Sequence, residues 1–122
     1  MKFLVVDDSS TMRRIVSNAL RDLGYTDIVD AADGVEGLAQ LEAARPDFLV
    51  TDWNMPNKNG LELTQAVRSH PEFSELPILM ITTRGMKEDV VAAMQARVNN
   101  YVVKPFTAQV LGEKIDAILK TA

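Results

Sequence analysis

The chain contains no cysteine, one histidine and few aromatic residues, at 6% of its 122 positions. Without cysteine there can be no disulfide, thiolate metal site or cysteine nucleophile. That fits a reducing compartment, and a cytoplasmic location is expected. No apolar run approaches the roughly 18 residues a membrane span needs. The stretch Phe3 to Val6 is too short for a signal-peptide core and runs directly into two aspartates. A formal net charge of −4 repels phosphates, so general nucleic-acid binding is not expected. What is present is ordinary for a folded domain, with 47% hydrophobic and 25% charged residues. The length suits one domain over residues 1–122 with a core large enough to fold without staples.

Short apolar runs alternate regularly with helical patterns. The runs are Phe3–Val6, Ile28–Val29, Phe48–Val50, Ile78–Ile81 and Tyr101–Val103. Several are continuous, as expected of parallel strands covered on both faces. Between them, Met12, Ile15, Val16, Ala19, Leu20 and Leu23 form one helical stripe stopped by Gly24. Val35, Leu38, Ala39 and Leu41 mark a second helix ended by Arg45-Pro46. Leu63, Ala66 and Val67 mark a third helix, ending near His70-Pro71, and Val90, Ala93 and Met94 mark a fourth. A fifth carries Leu111, Ile115, Ile118 and Leu119, with Thr107 as its cap. The six methionines are expected mostly in the core.

Five βα units predict an α/β fold: a doubly wound, five-stranded parallel sheet with helices on both faces. Asp7 and Asp8 follow the first strand, Asp52 the third, Thr82 the fourth, and Lys104 the fifth. The carboxyl ends of the strands line the ligand crevice of such sheets. For the acids of the first and third strands to meet, those strands must be neighbours. Order 2-1-3-4-5, the known flavodoxin-like arrangement, provides this.

Three carboxylates in one crevice repel one another unless a cation sits among them. Oxygen ligands with no nearby histidine or cysteine favour Mg2+. A carboxylate beside such an ion can attack phosphorus, and a lysine can neutralise the transferred oxygens. Read singly, each residue has a plainer explanation. Asp7 and Asp8 compete with Ser9 and Ser10 as helix caps, Asp52 resembles a turn aspartate, and Thr82 resembles a β-prone strand end. Lys104 resembles a solvated loop residue. Their combination changes that reading.

The stretches VVDDSSTMRRIV, TDWNMPNKNGLEL, LMITT and NNYVVKPFT resemble the receiver domains of chemotaxis response regulators over essentially the whole chain. The resemblance implies a phosphorylation-activated switch of a two-component pathway that is not an enzyme in its own right. Asp52 would accept a phosphoryl group from a histidine kinase. Asp8, Asp52 and the Asn54 carbonyl would bind Mg2+ directly, with Asp7 acting through water. Thr82 and Lys104 would contact phosphoryl oxygens, and Tyr101 would turn inward on activation. Lys104-Pro105 is expected to be cis. With no output domain among these residues, the signal would pass by binding. The implied partners are the flagellar motor switch protein and a phosphatase, and the switch itself is expected to be a monomer. A phosphate sink and a receiver of another pathway remain alternatives.

Two readings from other classes fit less well. Aspartyl-nucleophile phosphatases resemble a pattern with a second aspartate two positions beyond the nucleophile, where this chain has Asn54. A flavin module needs a small-residue phosphate loop where Asp7 and Asp8 stand. The chain also departs from the receiver pattern. Arg97 lies in a turn that usually carries a small residue, so either that turn differs, or Arg97 is strained with Asn99 or Asn100 as the left-handed residue. Arg84 is expected near the phosphoryl group, where it would alter dephosphorylation. Trp53 is expected to be partly exposed, and His70 to be an uninvolved surface residue.

Overall fold

The computed structural model describes residues 1–121. It contains β1 (Lys2–Val6), α1 (Ser10–Asp22), β2 (Asp27–Ala31), α2 (Gly34–Ala44), β3 (Phe48–Thr51), α3 (Gly60–Ser69), β4 (Ile78–Thr82), α4 (Lys87–Gln95), β5 (Asn100–Val103) and α5 (Ala108–Thr121). The strands form one parallel sheet in the order β2-β1-β3-β4-β5, as expected. No helix among the described residues is long and apolar enough to cross a membrane.

Strand residues alternate between two cores. Phe3, Val5, Phe48, Val50, Leu79, Ile81 and Val102 face α1 and α5, where Val16, Leu20, Leu111 and Ile115 meet them. Leu4, Val6, Leu49, Ile78, Met80 and Tyr101 face the other side with Leu41, Leu63, Val67 and Ala93. Coverage of both faces is why the strands read as continuous apolar runs. Phe3 is paired with Phe48 in the β1–β3 register, with ring centroids 4.9 Å apart.

Helix ends follow local chemistry. Ser9, rather than either aspartate, caps α1 by accepting from the Met12 amide at 3.2 Å. Asn59 and Glu62 form a reciprocal capping box on α3. Thr107 accepts from the Val110 amide at 3.1 Å, as anticipated. Some stripe residues fall outside the core. Ile15 on α1, Leu23 at its C-cap, Val35 and Ala39 on α2, and Met94 on α4 are exposed, Leu23 because it stands past the last helical turn. On α2, Gly34 and Gly37 are buried instead, which lets the helix approach closely. Only Met80 of the six methionines is buried, because it alone lies on a central strand.

Candidate functional site

The sheet register builds the site. Val6 pairs with Thr51, so the next residues, Asp7 and Asp52, leave neighbouring strands side by side. The Asp52 amide donates to the Val6 carbonyl at 2.9 Å, and the Asp7 amide to the Ala31 carbonyl at 3.1 Å. Lys104 is held similarly, its amide donating to the Thr82 carbonyl at 2.8 Å. The Lys104-Pro105 peptide is cis, as expected.

Side chains converge from these anchors. Oxygens of Asp7, Asp8 and Asp52 lie within 4.8 Å of one another. Asp7 and Asp52 are buried, and Asp8 is exposed at the mouth. Lys104 Nζ reaches both buried acids, at 3.1 Å from Asp7 Oδ2 and 3.3 Å from Asp52 Oδ2. The Asp7 Oδ1 atom accepts from the Ser9 amide at 2.9 Å, and Asp52 Oδ1 from the Trp53 amide at 2.7 Å. Burial raises the Asp52 pKa above its ordinary value; the Lys104 charge opposes this and Asp7 adds to it. The three carboxylates are hard oxygen donors carrying more negative charge than one ammonium balances. They suit Mg2+ in donor type and charge.

Thr82 ends β4 fully buried, its hydroxyl accepting from the Arg84 amide at 3.2 Å. Tyr101 is 9% exposed, already turned inward, and its hydroxyl donates to the Arg84 carbonyl. Burial, reinforced by the nearby Asp89 charge, pushes its pKa up to about 12. Asn54 is exposed at the rim, and its side-chain oxygen accepts from Arg84 Nε at 3.0 Å. Arg84 also lies over the Trp53 ring at 4.6 Å and donates to Asp89 at 3.2 Å. Trp53 is therefore buried, contrary to the expectation of partial exposure, because its ring packs into the core beneath the guanidinium. The His70 Nε2 atom lies 3.1 Å from Glu42.

Two supporting residues escaped the sequence reading. Arg13 donates to the Asp7 carbonyl at 2.7 Å and to Asp30 at 3.0 Å, pinning the β1 end. Gly60 lies against the Asp52 backbone, where a Cβ would stand 1.9 Å from the carbonyl oxygen. The Asn59-x-x-Glu62 capping signature could have marked Gly60 as a helix start, but the close approach itself has no sequence signal.

Residues 3–116 match the response regulator receiver domain family. The chain belongs to that family. Chemotaxis protein CheY1 of Helicobacter pylori is 57% identical over 122 residues, covering 99% of this chain and 98% of that relative. Chemotaxis protein CheY of Pseudomonas aeruginosa is 53% identical over 120 residues, covering 98% of this chain and 97% of its own length. In structure, Vibrio cholerae CheY4 superposes with a TM-score of 0.89 at 38% identity, covering 96% of this chain and 97% of its own. The chain is thus a receiver of the chemotaxis CheY type, and such receivers are regulatory phosphoacceptors rather than enzymes. Receiver domains typically bind Mg2+ at an acidic pocket, and an aspartate cluster is present here.

Proposed function

We propose that Asp52 accepts a phosphoryl group and that the change is relayed through Thr82, Lys104 and Tyr101 to a partner-binding face. The observation that carries this reading is the meeting of three carboxylates with the Lys104 ammonium at the sheet's carboxyl edge. An Asp52 oxygen bonds to phosphorus as the bond to the donor's leaving nitrogen breaks, and the donor keeps that electron pair and takes up a proton. Lys104, already beside Asp52, neutralises the phosphoryl oxygens. Asp8, Asp52 and the Asn54 carbonyl would hold Mg2+, with Asp7 acting through water, and the ion would supply positive charge opposite the transferring group.

The product adds roughly −1.5 to −2 charges and three acceptor oxygens. Thr82 turns its hydroxyl from the Arg84 amide towards them. The inward Tyr101 is retained as the active arrangement, so the switch is a shift of population. Exposed apolar residues on α4 (Val91, Met94), β5 (Val103) and α5 (Val110) supply the output face.

The phosphodonor is a histidine kinase. An apolar cleft of about 370 Å³, lined by residues including Met12, Ile15, Lys104 and Phe106, offers it a seat beside the acceptor. The output partner is the flagellar motor switch, a phosphatase ends the signal, and the receiver acts in the cytoplasm as one 1–122 domain.

Intact mass after incubation with Mg2+ and acetyl phosphate tests the acceptor. Wild type gains one phosphoryl group and Asp52→Asn gains none; a modification surviving in the variant refutes the assignment. Pull-down with the motor switch protein, before and after phosphorylation, separates motor control from a phosphate sink.

A further inference from the structure

Arg97 sits just after α4 with φ of 71°, in the left-handed region that a side-chain-bearing residue adopts only at a cost. Neither Asn99 nor Asn100 takes over that conformation. The turn is clamped from α3 by Arg68, which donates to the Arg97 carbonyl from Nε at 3.0 Å and from a terminal nitrogen at 2.8 Å. Its other bonds go to the carbonyls of Ser74 and Leu76 and to the Asn99 side chain, at 3.0, 2.7 and 2.9 Å. Every acceptor of Arg68 is therefore a neutral oxygen. Among the described residues the Arg97 guanidinium has no hydrogen-bond or ion-pair partner.

The two guanidinium groups lie close enough to repel each other; the Glu75 carboxylate acts on Arg68, whereas Arg97 has no bonded anion. They border a cleft of about 390 Å³ between α3 and α4, which also takes in Leu61, Gln65, Ser69, Ala92 and Gln95. Among the described residues no acidic one lines it. The smaller cleft on the other side of Arg68 and Arg97 includes Glu75, which disfavours an anion there. The lining is more polar than apolar, with Gln65, Ser69 and Gln95 beside the cationic end, and a volume of this size admits a small polar molecule. Complementing the α4 dipole does not explain Arg97, since a basic residue within the last helical turn would do so without left-handed backbone.

We infer that the α3–α4 cleft is a binding site for a small organic anion, whose carboxylate or phosphoryl group is received by Arg97. The site lies at the start of β5, whereas the acid pocket lies beyond the carboxyl ends of the strands. Occupancy therefore does not require phosphorylation at Asp52, and the inference is independent of that reading.

The test titrates the full chain with citrate and, separately, inorganic phosphate at constant ionic strength, following backbone amide NMR shifts. The expected result is a saturable shift centred on Gln65, Ser69, Gln95 and Ala96, beyond any seen with chloride. A response to citrate alone assigns a carboxylate ligand, and one to phosphate alone a phosphoryl ligand. Shifts centred on Lys104 would report the acid pocket instead and count against the inference. Arg97→Gly, which accepts the turn without strain, should weaken binding at least tenfold. Arg97→Gln, which keeps a long polar side chain, should do the same. Affinity unchanged in both variants, or no saturable response to either probe, overturns the inference.

Discussion

Gly60 and Asp52 are in backbone contact: a Cβ on Gly60 would lie 1.9 Å from the Asp52 carbonyl oxygen and 2.9 Å from its carbon. The Gly60 amide also donates to the Trp53 carbonyl at 2.8 Å, so α3 begins directly against the acceptor loop. Backbone cannot yield as a flexible side chain can. Gly60→Ala should therefore cost about 1–3 kcal/mol of stability by overpacking and slow phosphorylation by displacing Asp52. Urea denaturation and the rate of mass gain with acetyl phosphate check both effects.

Asp52 is held near Asp7, with the Lys104 ammonium bridging the two carboxylates. Its folded pKa is raised, mainly by burial. The folded state therefore binds more protons than the unfolded state between the ordinary value of 3.8 and the higher folded value. This group's contribution to stability falls as pH rises through that window and recovers on acidification. Asp52→Asn should make the metal-free protein more stable at neutral pH and remove this part of the pH dependence. Thermal melts of both proteins across pH measure it.

Tyr101 ionises only at about pH 12, against an ordinary 10.0. Between those values the unfolded tyrosine loses its proton while the folded one keeps it, so stability is complete below the lower value and is lost as pH rises. Phenolate absorbance should show one late-titrating tyrosine, absent in Tyr101→Phe. A late transition that survives in Tyr101→Phe, or none in the wild type, would contradict it.

Arg84 bridges Asn54, Trp53 and Asp89 across the mouth of the acid pocket. Its Arg84→Ala variant should uncover the indole and free Asn54, changing Trp53 fluorescence and shifting the dephosphorylation half-life several-fold. The fold should persist, since a partly exposed cation–π contact contributes roughly 0.5–1 kcal/mol. An unchanged half-life would remove Arg84 from the control of water at the site.

Periodicity, punctuation and the positions of polar residues at strand ends carried much of this protein's architecture. Covered parallel strands make continuous apolar runs, so all five strands were legible, and the need for Asp7 and Asp8 to meet Asp52 made the first and third strands neighbours. That order then brought Lys104 to the acids through backbone ladders, as its position after β5 suggested. Tertiary structure decided matters that depend on contacts between distant segments. Trp53 is buried because Arg84, from another loop, lies over its ring. Ile15 and Met94 are exposed because a helical stripe states which side is apolar but not how wide a neighbour covers it. Gly60 matters through a distance to Asp52 that no local pattern encodes. Arg97 keeps its left-handed turn because Arg68, from a helix far earlier in the chain, grips its carbonyl. Local propensity acts over a few residues, whereas these contacts exist only after the sheet has brought its edges and loops together.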